Sequence, residues 1–238
     1  MTGNIPAESP WEIQRLGKFT SSKIDALFTE PRSVKAKAAG ELSESAKTYI
    51  KSRAAEIITG TTRQVSNWAM EWGNTYEPIA AEKLALRFPG LEYLGKENPR
   101  FFRFSDFSGG SPDGWHVEMK LVAEIKCPED PANHVEYCLM QTGNDLKESE
   151  RDYYHQIQMN MVCVAKEFNI PFKEMRGVFC SYCPLVNEPY QDIKTLIIEP
   201  DMDFIAKLPL VIEKAESELA DIVWGLNREH KTPELQTA

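Results

Sequence analysis

Helical periodicity, then two-residue alternation, then helical periodicity again predict an α/β or α+β domain with a central mixed β-sheet flanked by helices. The segment order carries this reading: helices, strands, a helix, strands and a closing helix. Its 238 residues are 42% hydrophobic and 26% charged, enough apolar material for one sizeable core. No repeat, low-complexity run or Gly/Ser linker divides the chain. One domain over 1–238 is therefore expected: a basic helical part at about 11–65, a central core at about 67–200 and a last helix at about 203–228. Short soft ends are expected at 1–9 and about 229–238.

A first helix is expected from Thr20 or Ser21, whose hydroxyls can cap it, to Pro31. Residues 31–42 are polar and read as irregular. The next helix starts at Ser43, carries Tyr49, Ile50, Ala54 and Ile57 at helical spacing, and stops at Gly60. A third covers about 67–88, with Trp72, Tyr76, Ile79 and Leu84 as its apolar stripe. Strands follow in RFFRFSDF, then a turn at GGSPDG, then WHVEMK and LVAEIKCP, the pattern of a small meander. A helix from about Glu148 to Phe168 precedes the strands GVFCSYC and TLIIEP. The closing helix, about Asp203 to Asn227, has Phe204, Leu208, Val211, Leu219, Ile222, Val223 and Leu226 as its buried positions.

The net charge of −9 and pI of about 5.1 argue against a protein that coats nucleic acid by charge alone. The charge is unevenly spread: Ile13 to Arg63 holds ten Lys/Arg against five Asp/Glu, leaving 17 against 31 elsewhere. A basic third on an acidic body suits an enzyme that keeps a polyanion on one surface, although a solvated helix face has the same composition. No run approaches the ~18 apolar residues of a membrane span, and the first residues lack a secretion signal. No membrane association and a cytoplasmic location follow as expectations. The five cysteines are odd in number and read as reduced, mostly buried thiols. Cys180 and Cys183 form a CxxC, but in a strand their side chains point to opposite faces and do not converge on a metal. His116, His134, His155 and His230 share no metal-site spacing.

The informative segment is GGSPDGW, followed eleven residues after Asp113 by EIK. Glu124 and Lys126 lie two apart on a strand and so project from one face, and Asp113 comes from the adjoining turn. Ala123, Ile125, Cys127 and Pro128 are apolar, so the two charges interrupt a buried strand and need partners or a metal. Two carboxylates suit a hard divalent cation such as Mg²⁺, which would activate water and neutralise a scissile phosphate while Lys126 holds the nucleophile. The Ile125 carbonyl, pointing another way along the strand, could complete the coordination.

WEIQRLGKFTSSKI, WGNTYEPIA, GGSPDGW, EIKCP and YYHQIQMNM, in this order over roughly residues 11–165, resemble the phage lambda exonuclease and YqaJ-type viral recombinase family of PD-(D/E)XK nucleases. The resemblance implies a restriction-endonuclease-like core. It also implies a Mg²⁺-dependent 5′-to-3′ exonuclease, with two ions and Mn²⁺ as a substitute, resecting duplex DNA ends for recombination by strand annealing. It assigns Asp113, Glu124, the Ile125 carbonyl and Glu77 to metal and Lys126 to the nucleophile. Gln156 would assist the reaction, with Tyr153 one turn earlier on its helix. Arg15, Ser22 and Ser111 would hold a 5′ phosphate, Met70 would wedge apart the terminal base pairs, and Arg32 would enter the minor groove. A homotrimeric ring, a single-strand annealing partner and a phage or prophage origin in a bacterial host are implied too. Lys18 departs from the family's apolar preference, and residues 127–150 diverge. An endonuclease of the same fold and a non-catalytic DNA-binding relative stand as alternatives.

Overall fold

A computed structural model describes residues 10–62, 67–95 and 98–227; the expected soft ends, Arg63 and His230 lie outside these. The N-terminal layer holds α1 (Pro10–Arg15), β1 (Phe19–Thr20), α2 (Asp25–Phe28), α3 (Val34–Ala38) and α4 (Glu44–Thr59). The central part holds α5 (Trp68–Arg87), β2 (Glu92–Tyr93), β3 (Phe102–Arg103), β4 (Ser108–Gly110), β5 (Gly114–His116) and β6 (Leu121–Lys126). After these come α6 (Pro131–Leu139), α7 (Gly143–Ser149), α8 (Arg151–Glu167), β7 (Arg176–Tyr182), β8 (Ile193–Ile198) and α9 (Met202–Leu226).

A five-stranded sheet runs β2-β5-β6-β7-β8. Its pairs are antiparallel except β6 and β7, which run parallel from Leu121↔Arg176 to Lys126↔Ser181. Parallel neighbours need a crossover, and α6 to α8 supply it. A smaller sheet, β1-β4-β3, joins the N-terminal layer to the segment before Asp113.

Alternation along β6 divides two cores. Val122 faces the larger, shared with Phe179 of β7 and with α4, α8 and α9. Leu121, Ala123 and Ile125 face the smaller, closed by Ala80, Ala81 and Leu84 of α5. Helix α8 is buried from Tyr154 to Ala165, so it lies inside the molecule rather than over it.

Several expectations change in detail. Ser43 caps α4 through the Ala46 N–H at 3.1 Å and Gly60 ends it at φ +68°. Thr20 makes no side-chain cap, and the first helix is a 3₁₀ turn followed by α2. Residues 34–38 are helical because Ser33 caps them; with no buried residue, α3 leaves no apolar period to read. The meander is split, since β3 and β4 belong to the small sheet. Gly109 and Gly110 of the supposed turn are strand residues of β4. Ile79 is 40% exposed, because alanines pack α5 on the sheet at closer range than a bulky stripe allows. Leu226, at the last turn of α9, is exposed and not buried.

Candidate active site

The sheet opens at the carboxyl end of β6, where β5 has already ended. The Asp113 N–H donates to the Ala123 carbonyl at 3.0 Å, and the Ile125 N–H donates to Asp113 Oδ2 at 2.7 Å. Ala123 and Ile125 therefore turn their backbone groups to the same edge, so the Ile125 carbonyl faces the gap beyond β5. Pro112, next on that side, has no N–H to offer it.

Glu124 is 1% exposed and projects to the α8 face. Its Oε1 accepts from Lys126 Nζ and from Gln156 Nε2, each at 2.6 Å, and its Oε2 accepts from Asn160 Nδ2 at 3.2 Å. Gln156 and Asn160 are one turn apart on α8, which places both amides over the strand. Tyr153, a turn earlier, lies under Lys126, with Nζ 4.8 Å from the ring centre, and stacks on Phe179. It thus forms a wall of the cluster. Glu77 reaches the same corner from α5, and its Oε1 accepts from the Tyr93 hydroxyl at 2.9 Å.

Burial, then the charge of Asp113, raises the Glu77 and Glu124 carboxyls above their ordinary values. Burial also raises Asp113, against the pull of Lys126 and the Ile125 N–H, although Asp113 keeps some contact with solvent. Lys126 is pushed up despite burial, because Glu124 and Asp113 flank it. Three carboxylates facing one ammonium leave excess negative charge at low dielectric. Hard oxygen donors in such a deficit fit a divalent cation. Among the described residues no three His, Cys, Asp or Glu side chains cluster closely enough to bind one ion. Mg²⁺ commonly takes only one or two protein carboxylates and completes its shell with water, so a pair such as Asp113 and Glu124 could hold one ion.

A second cluster adjoins the first. Arg15 stacks on Trp11, 4.1 Å from the ring centre, and the Trp11 indole donates to Ser111 Oγ at 3.1 Å. Burial lowers the Arg15 pKa, partly offset by Tyr49, Glu56 and Glu124, so the guanidinium senses the carboxylate cluster. Its loop is clamped by α4. Glu56 accepts from the Gly17 N–H at 2.9 Å and pairs with Arg53 at 2.6 Å, and the Tyr49 hydroxyl accepts from the Thr20 N–H at 2.8 Å. Gly17 sits at φ +69°, and a Cβ there would stand 2.4 Å from Ile57. Ser22 is exposed, its Oγ 3.2 Å from Thr20 Oγ1.

Met70 is 51% exposed in the first turn of α5, and Arg32 is exposed before α3. No contact among the described residues joins either to the carboxylates. Lys18 stays near the surface, its amine donating to the Asp106 carbonyl and lying over Phe107. Residues 127–150 form α6 and α7. His116, His134 and His155 bind the Pro89 carbonyl, Ser181 with the Gln191 carbonyl, and Asp25 respectively, all structural contacts. All five cysteines are free, and Cys180 and Cys183 are buried.

The reading of single residues missed Asn160, Trp11, Tyr93 and the Arg53–Glu56 clamp. Four-residue spacing from Gln156 could have found Asn160, and Trp11 opens the WEIQR string. The clamp has no sequence signal, because it joins α4 to a loop 39 residues away.

Residues 10–167 match the sequence model of the YqaJ-like viral recombinase domain. No curated protein matches the chain. Among solved structures, an alkaline exonuclease (LHK-Exo) from Laribacter hongkongensis is 23% identical, with a TM-score of 0.69 over 92% of this chain and 96% of that one. The same protein in complex with dAMP gives 0.71. A phage-related exonuclease from Haemophilus somnus 129PT, 18% identical, gives 0.65 over 88% and 96%. These likenesses establish a shared fold: the restriction-endonuclease-like mixed sheet flanked by helices.

Proposed function

The chain belongs to the YqaJ-like viral recombinase family, and from that premise we propose that it is a Mg²⁺-dependent exonuclease that degrades one strand of linear duplex DNA from its 5′ end. The whole chain acts as one nuclease domain. The observation that carries the reading is the adjacency of two unlike clusters: buried carboxylates around Lys126, and an arginine stacked on Trp11 beside Ser111. The first suits hydrolysis of a phosphodiester, and the second suits a terminal phosphate.

Asp113, Glu124 and the Ile125 carbonyl would hold one ion, with Glu77 contributing at a second, and Mn²⁺ could replace Mg²⁺. When bound, the ions lower the pKa of water and offset charge on the scissile phosphate. Lys126 orients the attacking water through Nζ. Gln156 and Asn160 fix the Glu124 carboxylate, and Tyr153 limits where Lys126 can swing. Arg15, Ser22 and Ser111 bind the 5′ phosphate and set the cut one nucleotide from the end. Met70 parts the terminal pair, and Arg32 tracks the minor groove. A homotrimeric ring around the duplex, a single-strand annealing partner and a cytoplasmic site of action in a bacterial host complete the proposal. The LHK-Exo structure with dAMP supports a nucleotide product.

The test is digestion of 5′-phosphorylated linear, 5′-hydroxyl linear and closed circular duplexes, with and without Mg²⁺. Release of mononucleotides from linear DNA only, fastest with a 5′ phosphate and absent without the metal, is expected. Cleavage of closed circles at a comparable rate would make the protein an endonuclease, and full activity in Lys126→Ala would remove the assigned mechanism.

A further inference from the structure

Helix α5 has two unlike halves. Its second half packs on the sheet through Ala80, Ala81 and Leu84. Its first half presents aromatic rings at four-residue spacing, Trp68, Trp72 and Tyr76, all on one helix face. Trp68 and Trp72 lie 6.1 Å apart between ring centres at 49°, and Trp72 and Tyr76 lie 4.5 Å apart at 52°. Tyr76 rests against the smaller core, whereas neither tryptophan belongs to either core. Trp68 is 66% exposed.

Core packing therefore does not account for the two indoles. Trp72 is also poorly seated: its indole N–H is buried with no acceptor among the described residues. A donor in that state loses its water without gaining a partner, so the ring can turn outward at no cost in hydrogen bonding. The ladder leads to the catalytic corner, because Glu77 follows Tyr76 directly, and Tyr76 and Cys127, the residue after Lys126, both pack against the smaller core.

Resting on the function proposed above, we infer that Trp68, Trp72 and Tyr76 form a stacking track for unpaired bases of single-stranded DNA beside the carboxylate cluster. Flat aromatic faces take bases of any sequence, which suits an enzyme that must pass every sequence. Paired bases inside a duplex cover one another's faces, so the track selects the unpaired strand. Successive rings rise about 6 Å along the helix, close to two stacked nucleotides, so the three rings span a short frayed segment and not a long one.

The experiment measures fluorescence anisotropy of a labelled oligothymidylate of about twelve nucleotides and of a blunt duplex, both in EDTA, with the full-length protein. Trp68→Ala and Trp72→Ala are each expected to weaken single-strand binding about tenfold, while blunt-duplex binding changes less than about twofold. Trp68→Phe should restore most of the loss, and the single strand should quench tryptophan emission of the unaltered protein. Because Trp68 is exposed, its variants should melt within about 2 °C of the parent. Unchanged single-strand affinity in both alanine variants would overturn the proposal. So would a change in oligomeric state in Trp68→Ala by light scattering, since the face would then be covered by a second copy of the chain. Binding in EDTA needs no turnover, so a protein that binds through the ladder but digests no DNA would sink the exonuclease reading and leave the track standing.

Discussion

The two faces of the central sheet meet at one corner but are built on different principles. On the α8 side every polar atom of Glu124 has a named donor, and the helix above is buried along nearly its whole length. On the α5 side small residues hold the helix to the sheet at one end, and the tilted indoles of Trp68 and Trp72 stand away from both cores at the other. A buried charge tolerates no slack, because one missing hydrogen bond leaves it uncompensated. An aromatic face tolerates a good deal, since stacking is broad in angle. On the function proposed, one side of the corner would be set for chemistry and the other for accommodating what the chemistry acts on.

The comparison breaks most visibly at Lys126. Lys126→Ala should lower the rate of nucleotide release from linear duplex by roughly 1,000-fold or more, with the fold intact by circular dichroism. Asn160→Ala removes one donor from Glu124 and should cost roughly tenfold in rate, chiefly in kcat; no change there would mean that Gln156 and Lys126 alone position the carboxylate. At Gly110 the test is stability. A Cβ would fall 2.3 Å from Asn160 Oδ1, so Gly110→Ala should destabilise the protein by about 1–3 kcal/mol in denaturant titration.

The smallest effect expected is a pH dependence at Asp25, which ties α2 to the start of α8. Burial works to raise its pKa, but His155 and Arg151 outweigh it and hold the carboxyl at about 2 against 3.8 unfolded. Arg151 makes two bonds to it, at 2.7 and 3.0 Å, and His155 Nδ1 lies at ion-pair distance, 2.8 Å, though out of line for a hydrogen bond. A depressed carboxyl stabilises the fold above pH 3.8 and loses that contribution as pH falls towards 2. For this partly exposed group it amounts to about 1–2 kcal/mol. Stability curves of the parent and Asp25→Asn should therefore converge between pH 4 and pH 2, and parallel curves would remove the assignment.

What the sequence disclosed followed physical regularity. Glu124 and Lys126 were legible because a strand has period two and both charges break an apolar run. Helix α4 was legible because Ser43 and Gly60 bracket it. Asn160 escaped because a polar residue on a helix looks solvated until the helix is known to be buried on all sides. The stripe of α5 was misread at Ile79 because alanines do the packing, and weight given to large residues passes over them. Helix α3 buries nothing, so it had no periodicity to offer. The Arg53–Glu56 clamp depends on two segments meeting in space, which spacing along the chain does not encode.

The parallel pairing of β6 with β7 bears on how the molecule comes to exist at all. Residues 127–175 separate the two strands, and the family match ends at residue 167, before β7 begins. During synthesis the strand carrying Glu124 and Lys126 emerges with an open edge, and six residues of pairing wait for about fifty more to leave the ribosome. A fragment cut at the boundary of the matched segment would keep every proposed metal ligand and lose the strand beside them. Such a fragment should aggregate through that edge, whereas one extended through α9 to Leu226, which closes the larger core, should stay in solution.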